Sequence, residues 1–206
     1  MEKPVASRLR VDHLSIHDVG PVSLEIHKGE CVGLSGPSGS GKTLFLKAIA
    51  DMEPHGGKIC LDGTEQALVF APDWRRQVAL LPAESAWWAD TVSEHFVHSD
   101  ANGFDRLGFD AHILTWPVSR LSSGERQRLA LLRLLESQPR LLLLDEPTAN
   151  LDEGNAASVE QLIRSYREET GAAVVWVGHQ TAQLHRVASR FFTMEGGRLR
   201  AVGGGT

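Results

Sequence analysis

A glycine-rich segment between an apolar run and a helical pattern constrains this chain more than any other feature. It comprises Gly36, Pro37, Ser38, Gly39, Ser40, Gly41, Lys42 and Thr43, and it fits the spacing G-x-x-x-x-G-K-S/T. The glycines let the backbone curl so that several N–H groups point at one phosphate, while Lys42 supplies a charge and Thr43 a hydroxyl for Mg²⁺. The flanks predict a buried strand over residues 30–35 and a helix over residues 44–50. This context favours a phosphate-binding loop over a flexible Gly/Ser-rich linker.

Two adjacent carboxylates follow an apolar run in the second half of the chain. Residues 141–144 are leucines, and Asp145 and Glu146 come directly after them. In a parallel sheet the carboxyl ends of the strands meet at one edge, so both acids are expected beside the phosphate-binding loop. There Asp145 can hold Mg²⁺ through water, and Glu146 can orient and deprotonate an attacking water. Taken alone, the run fits equally well a core strand with a polar end.

A serine-rich segment precedes the carboxylate strand. It comprises Leu121, Ser122, Ser123, Gly124, Glu125, Arg126, Gln127 and Arg128. By itself it favours an ordinary helix capped by Ser122 or Ser123, because leucines continue behind it at helical spacing. Its place in the order of segments points to a more specific role.

This order resembles that of the ATP-binding-cassette (ABC) ATPases. The serine-rich segment is similar to the signature motif of that family, usually Leu-Ser-Gly-Gly-Gln, with Ser123 for a glycine and Glu125 for the glutamine. Residues 149–152 resemble the D-loop of the family, and residues 175–179 resemble the strand that leads to its switch histidine, here His179. The resemblance covers nearly the whole chain.

The resemblance implies an α/β fold of the P-loop NTPase type, with a parallel-sheet core, an antiparallel β subdomain and a short inserted helical subdomain. A single ABC ATPase domain is expected over residues 1–206. The RecA-like core with the β subdomain would occupy about residues 1–83 and 139–202, and the helical subdomain about residues 84–138. Within the β subdomain, alternating residues predict two strands joined by a Gly-Pro turn.

The resemblance also implies the ligands and the residues that bind them. ATP and Mg²⁺ are the expected ligands, with Glu146 and His179 as catalytic residues and Thr43 and Asp145 as metal-binding residues. The residues expected to contact ATP are Gly36, Pro37, Ser38, Gly39, Ser40, Gly41, Lys42, Thr43, Leu121, Ser122, Ser123, Gly124, Glu125 and Asp152. In this fold Ser122 lies too far from Lys42 of the same chain to share one nucleotide. The resemblance therefore implies a second copy of the chain as partner, in an ATP-sandwich dimer.

Two departures from the family pattern concern the metal and the adenine. Ala83 stands where the family usually has a glutamine after a strand that ends in proline, and Glu84 is the nearest polar substitute. No Phe, Tyr or Trp occurs between residues 9 and 29, where the family supplies an aromatic ring for adenine, and Ile16 and His17 lie nearest. Because stacking contributes roughly 1–3 kcal/mol per base, a weaker hold on adenine is expected.

Composition limits the partners and the compartment. The 206 residues suffice for one domain with a core, and the net charge of −5 without a long basic run argues against nucleic acid as the main partner. Cys31 and Cys60 lie in strand-like segments and are expected to be buried thiols in a reducing compartment. Residues 1–10 are too polar for a signal peptide, and no apolar stretch approaches the roughly 20 residues of a membrane span. Residues 203–206 are expected to be disordered.

Together these features predict an ATP-hydrolysing subunit that dimerises on ATP and powers a separate transmembrane permease. Its expected location is cytoplasmic, at the inner face of the cell membrane, held there by that permease. Residues 88–92 and 151–155 resemble small bacterial subunits assigned to iron export. Two alternatives stay open. One is a soluble ABC protein acting on ribosomes or DNA, although such proteins carry two cassettes or a coiled-coil insertion. The other is a cassette that binds nucleotide with little turnover, which Ala83 favours.

Two adjacent tryptophans mark a candidate contact with the permease. Trp87 and Trp88 follow the position of the missing glutamine, where the family forms a groove for a coupling helix of the membrane subunit. In an extended segment neighbouring side chains point to opposite sides, so one of the two is hard to bury in the same core. Trp88 is the preferred contact and Trp87 the second choice. The alternative is that both pack inside the small lobe.

Overall fold

The structure is a computed structural model that describes residues 7–97 and 103–202. The segment 203–206, for which the sequence predicts disorder, lies outside the described residues. The strands are β1 (Ser7–Ile16), β2 (Val19–His27), β3 (Cys31–Ser35), β4 (Gly56–Leu61), β5 (Thr64–Glu65), β6 (Val78–Leu81), β7 (Leu141–Asp145), β8 (Ala173–Val177), β9 (Arg190–Glu195) and β10 (Arg198–Val202). The α-helices are α1 (Lys42–Ile49), α2 (Ala71–Gln77), α3 (Ser123–Leu135), α4 (Glu153–Thr170) and α5 (Thr181–Val187).

The strands form two sheets. The larger sheet has the order β10-β9-β3-β8-β7-β6, and its strands pair in parallel from β9 to β6, with β10 antiparallel at one edge. The smaller sheet has the order β2-β1-β4-β5 and is antiparallel throughout. Strands β7 and β8 are buried along their whole length, because helices cover both faces of a parallel sheet. The predicted parallel core and antiparallel β subdomain are confirmed.

The register of the large sheet aligns the ends of three strands. Val177 of β8 pairs with Leu34 of β3 on one side and with Asp145 of β7 on the other. The phosphate-binding loop after β3, the acids at the end of β7 and His179 after β8 therefore leave the sheet at the same edge.

Two apolar clusters cover the opposite faces of this sheet. Alternate residues of β7 belong to different clusters, as expected for a strand. Leu143 packs in one cluster with Phe45 of α1, whereas Leu144 packs in the other with Leu129 of α3 and Val159 of α4. Helix α1, which follows the phosphate-binding loop, and helix α3, which contains the signature segment, thus lie on opposite faces of β7.

The β1–β2 connection differs from the prediction. The turn lies at His17 and Asp18, while Gly20 and Pro21 lie inside β2. Gly20 has a φ of 114°, and a Cβ there would lie 2.3 Å from the Leu14 carbonyl oxygen. The glycine is therefore required for close approach of β2 to β1, rather than for the turn.

The segment between β6 and β7 contains a single α-helix, α3, among its described residues, preceded by short 3₁₀ helices. This is the predicted short helical insertion. Gly171 ends α4 with a φ of 67°, a left-handed conformation that glycine adopts readily at the end of a helix. Cys31 is buried and Cys60 half-buried, and both are free thiols. Burial raises the pKa of Cys31 to about 12.

Candidate active site

The loop between β3 and α1 contains two positions that only glycine can occupy. Gly36 has a φ of 142°, and a Cβ there would lie 2.2 Å from the Met194 carbonyl oxygen. Gly41 has a φ of 102°, and its Cβ would lie 2.2 Å from Cγ2 of Val19. The loop is thus pressed against β9 and β2, and α1 begins directly after it. The N-terminal end of that helix adds positive potential beside the loop.

Two polar side chains of this loop are buried. Lys42 is 7 % exposed, and its Nζ donates hydrogen bonds to the carbonyl oxygens of Gly36 at 2.8 Å and Pro37 at 2.9 Å. The ammonium therefore lies within the curl of the loop. The Oγ of Ser40 is also buried but has no hydrogen-bond partner. Because an orphaned buried hydroxyl is costly, this atom needs an acceptor, and a phosphate oxygen would supply one.

Thr43 and Asp145 form the next part of the site. Oγ1 of Thr43 donates a hydrogen bond to Oδ2 of Asp145 at 2.7 Å, and Asp145 is only 5 % exposed. Burial raises the pKa of Asp145 and the charge of Glu146 raises it further, against the hydrogen bond from Thr43 and the charge of Lys42. A buried carboxylate of this kind gains from a nearby cation. With a hydroxyl beside it, it presents the oxygen ligands that Mg²⁺ prefers, so these residues fit the expected metal.

Glu146 and His179 face each other across the edge of the sheet. Oε1 of Glu146 and Nε2 of His179 lie 2.8 Å apart, and the two side chains are 31 % and 52 % exposed. Glu146 has a φ of 50°, which is uncommon for a residue with a side chain. Its N–H donates to the Val177 carbonyl oxygen at 3.1 Å. Such conformations concentrate at functional sites, and here the carboxylate stays open to water while an imidazole holds it.

These groups share one cavity of about 220 Å³. Residues 38–44 of the phosphate-binding loop and α1 line it, together with Asp145, Glu146 and His179. Among the residues that the structure describes, none from the signature segment lines this cavity, and neither does Asp152. Ala83 and the nearby Glu84 are absent from its walls as well. One chain thus brings together the loop, the acids and the histidine, but not the remaining predicted ATP contacts.

The signature segment forms the capped start of α3. The Oγ of Ser122 accepts a hydrogen bond from the N–H of Glu125 at 3.2 Å, and the Glu125 carboxylate accepts from the Ser122 N–H at 2.8 Å. This capping box makes Ser122, rather than Ser123, the cap. Both serines are exposed, whereas Leu121 is buried. The hydrogen bonds from the backbone and the hydroxyl of Ser122 lower the pKa of Glu125.

The signature segment packs against the D-loop of the same chain. A Cβ on Gly124 would lie 3.0 Å from Cδ2 of Leu151 and 3.1 Å from the Asn150 carbonyl oxygen. Asp152 caps α4, since its Oδ1 accepts a hydrogen bond from the N–H of Asn155 at 2.9 Å. Its predicted contact with ATP stays a prediction, and the capping role is one that the sequence interpretation missed.

The nearest candidates for adenine stacking differ in exposure. Ile16 is 3 % exposed and belongs to the core, so its side chain cannot offer a face to a base. His17 is exposed in the β1–β2 turn. The described residues between β1 and β3 include no aromatic ring other than histidine.

The fold and the cavity define a P-loop nucleotide-binding domain. A model of the ABC transporter family matches residues 19–149. The chain belongs to this family, whose ATP-binding subunits hydrolyse ATP.

The relatives of this chain are named for the transport of different substrates. The chain is 36 % identical over 198 residues to the molybdenum import ATP-binding protein ModC of Rhizobium etli, an alignment covering 85 % of this chain and 54 % of ModC. It is 30 % identical over 187 residues to the probable iron export ATP-binding protein FetA of Escherichia coli, covering 84 % of this chain and 83 % of FetA. The chain thus spans about half the length of ModC but most of FetA.

Solved structures share the fold at lower identity. CbiO1 of Clostridium perfringens, part of the ABC transporter complex CbiONQ, matches 95 % of this chain and 87 % of its own, with a TM-score of 0.80 and 20 % identity. A bacterial Atm1-family ABC exporter with ATP bound matches 95 % of this chain and 39 % of its own, with a TM-score of 0.83 and 22 % identity. No helix among the described residues is both long and apolar enough to cross a membrane.

Proposed function

We propose that this chain is an ATP-binding and ATP-hydrolysing subunit that dimerises on ATP and powers a separate transmembrane permease. The observation that carries the proposal is the shared cavity in which the phosphate-binding loop, Asp145, Glu146 and His179 meet. A structural role alone would not require a partly exposed carboxylate in a strained backbone conformation, beside a buried hydroxyl that lacks an acceptor.

Each group in the cavity has a distinct proposed role. The loop amides, Lys42 and Ser40 bind the phosphates of ATP. Thr43 and Asp145 hold Mg²⁺, which when bound would neutralise phosphate charge. Glu146 orients and deprotonates the attacking water, and His179 holds Glu146 in place through the 2.8 Å contact.

The test of this proposal is Glu146→Gln, which preserves the shape of the side chain but removes its basicity. Turnover should fall by about 10²–10⁴, the usual contribution of a general base, while ATP binding persists. Steady-state ATPase activity and the binding of a fluorescent ATP analogue measure the two quantities. Near-normal turnover in the variant would exclude Glu146 as the base.

The exposed signature segment supports the second half of the proposal. Ser122 lies outside the cavity of its own chain and is exposed at the N-terminal end of α3. In a two-fold dimer this end can face the γ-phosphate bound by the other copy. Light scattering of Glu146→Gln with ATP and Mg²⁺ should therefore report a dimer that disappears without ATP. A monomer under all nucleotide conditions would contradict the sandwich.

A groove of about 740 Å³ beside Trp88 supports the permease as a partner. Trp88 is 71 % exposed and lines this groove, whereas Trp87 is half-buried. The His95 ring lies 4.7 Å from each indole ring between centroids, and its Nε2 accepts a hydrogen bond from the backbone N–H of Trp88 at 3.0 Å. Arg133 stacks over Trp88 at 4.7 Å. An exposed indole whose orientation is fixed by its neighbours suits a binding contact. A permease bound there would place the chain at the cytoplasmic face of the membrane.

Iron export is the proposed transport function. FetA is a relative that this chain spans over most of its length, whereas ModC extends well beyond the matched region. The chain should co-purify with its permease, and the ATPase activity of that complex should respond to iron rather than to molybdate. Stimulation by molybdate alone would assign the complex to the other group of relatives.

The leading alternative is a cassette that binds nucleotide with little turnover. Ala83 favours it, because alanine stands where the family usually has a glutamine and its side chain has no atom that could contact Mg²⁺ or the attacking water. A non-transport role on ribosomes or DNA is favoured by no comparable observation.

A further inference from the structure

A second and more buried side-chain contact lies behind the Glu146–His179 pair. Together the two contacts join four residues in a closed ring of interactions. Thr148 lies two residues after Glu146, and Gln183 lies four residues after His179, in α5. Oγ1 of Thr148 donates to Oε1 of Gln183 at 3.1 Å, and Nε2 of Gln183 donates to Oγ1 of Thr148 at 2.9 Å. Two short chain segments and two side-chain contacts therefore link these four residues in a closed loop.

The buried Glu160 fixes the orientation of Gln183. Gln183 is 6 % exposed and Glu160 is 7 % exposed. Nε2 of Gln183 also donates to Oε1 of Glu160 at 2.9 Å, while Arg186 donates to both oxygens of Glu160 at 2.8 and 3.1 Å. Burial alone would raise the pKa of Glu160, but the hydrogen bonds from Arg186 and Gln183 lower it. Because a carboxylate only accepts hydrogen bonds, the amide nitrogen of Gln183 must face Glu160. The amide oxygen of Gln183 is then available to accept the hydrogen bond from the Thr148 hydroxyl.

The contact between Thr148 and Gln183 matters because the contact between Glu146 and His179 is too weak to fix its own geometry. The His179 and Glu146 side chains are 52 % and 31 % exposed, and contacts between ionisable groups that water reaches stabilise a geometry only weakly. Both residues lie beyond the ends of their strands, so the sheet ladder does not fix their side chains. The contact between Thr148 and Gln183 is more buried and makes two hydrogen bonds. It is therefore the part of the ring that sets the spacing between the two loops.

We propose that Gln183 and Thr148 are positioning residues that hold His179 in register with Glu146 for ATP hydrolysis. They touch neither substrate nor metal, since neither lines the cavity. This inference rests on the catalytic roles proposed above for Glu146 and His179. Glu160 and Arg186 support the pair from behind, by keeping the Gln183 amide in one orientation.

The matched variants are Thr148→Val and Thr148→Ser. Valine preserves the shape but removes the hydroxyl, so kcat should fall about 10- to 100-fold, the usual cost of a misplaced catalytic group. KM for ATP and the affinity for a fluorescent ATP analogue should stay within about twofold, because the phosphate-binding loop is untouched. Serine keeps the hydroxyl and should restore kcat.

Gln183→Leu removes the other partner of the Thr148–Gln183 contact. It should lower kcat as Thr148→Val does, and the double variant Thr148→Val with Gln183→Leu should be no slower than the worse single variant. Independent, multiplicative losses would contradict a shared contact and overturn the proposal. If Gln183→Leu does not fold, the valine–serine pair at Thr148 decides the question alone.

Tyr166→Phe controls for simple loss of stability. Tyr166 lies on α4, the helix that carries Glu160. Its hydroxyl donates a hydrogen bond to the Pro139 carbonyl oxygen at 2.8 Å and does not take part in the Thr148–Gln183 contact. This variant should lower the melting temperature but leave kcat unchanged. If Thr148→Val lowers only the melting temperature, as this control does, its role is structural and the proposal is wrong.

Measuring Glu146→Gln in the same series separates the two proposals. A large loss in Glu146→Gln with full activity in Thr148→Val and Gln183→Leu would overturn the positioning role but leave the catalytic base in place. Full activity in Glu146→Gln would overturn the catalytic base and the positioning role with it.

Discussion

The cavity around the phosphate-binding loop and the surfaces around Ser122 and Trp88 are built in opposite ways. The cavity is assembled within one chain, because adjacent parallel strands deliver its residues to one edge of the sheet. Ser122 and Trp88 are firmly held, by a capping box and by His95, but their faces stay exposed. The chain thus completes the proposed phosphate site within itself and leaves exposed the surfaces proposed for partners.

The strongest test of the cavity is Lys42→Ala. Loss of a buried charged donor typically costs about 1.5–3 kcal/mol, so ATP should bind about 10- to 150-fold more weakly. Lys47→Ala is the matched control, because Lys47 belongs to the same helix but lines the groove beside Trp88. Titration of both variants with a fluorescent ATP analogue measures the difference. Equal affinities would mean that the loop amides bind phosphate without the lysine.

Trp88→Ala tests the open groove. Association with the permease should weaken by about 2 kcal/mol or more, as for a hot-spot tryptophan, while basal ATPase activity is retained. Pull-down of the co-expressed permease, with a melting curve for each variant, gives the result. Trp87→Ala should instead lower the melting temperature, because Trp87 is half-buried. Full association in both variants would place the contact elsewhere.

Ser122→Ala and Ser123→Ala compare two neighbouring hydroxyls. Ser122 is the cap of α3, so its loss should destabilise the protein by about 1 kcal/mol and also weaken the ATP-dependent dimer. Ser123 makes no capping contact in the described structure and should be nearly neutral in stability. Thermal melting and light scattering in the Glu146→Gln background measure the two effects. If Ser123→Ala proves the more damaging for dimerisation, the assignment of Ser122 to the phosphate is wrong.

Ala83→Gln tests the low-turnover alternative. If the missing glutamine limits metal placement, the variant should raise basal ATPase activity or lower the Mg²⁺ concentration needed for half-maximal activity. Both are read from ATPase assays across a Mg²⁺ titration. An unchanged profile would remove the support that Ala83 lends to a cassette of little turnover.

The smallest expected effect is a pH dependence of the α3 cap. Because the folded protein lowers the pKa of Glu125 from its ordinary value of 4.5, the ionised carboxylate contributes stability above that pH. This contribution is lost as the pH falls below 4.5 through the folded pKa. The difference in melting temperature between wild type and Glu125→Gln should therefore shrink on acidification through that window. A constant difference would show that the charge of Glu125 is immaterial to the cap.

Much of the fold could be predicted from local sequence patterns. The strands β6, β7 and β8, the long helix α4 and its end at Gly171 follow from apolar runs and from a glycine in a left-handed conformation. The short helices α2 and α5, of seven residues each, were not predicted, because so few residues show no clear period. The β1–β2 turn was misplaced, since Gly20 and Pro21 resemble a turn locally but serve the close packing of two strands.

The sequence by itself determined the chemistry of the phosphate end of the site. Gly36, Gly41, Lys42 and Thr43 fit the spacing of a phosphate-binding loop, in which each residue type has a separate geometric role, so the motif can be recognised in the sequence alone. The acids of β7 are visible for a similar reason, because the strand that carries them is apolar throughout. Such features are local, and a parallel sheet converts their order into proximity.

Only the tertiary structure decided how these groups are held and which surfaces stay open. Thr148 and Glu160 lie 35 and 23 residues from Gln183 along the chain and meet it only through tertiary hydrogen bonds, so no local sequence pattern predicts these contacts. The Trp88 indole likewise contacts Arg133, which lies far from it in the sequence. Contacts between distant segments depend on packing of the whole domain, and a single sequence carries no local signal for them.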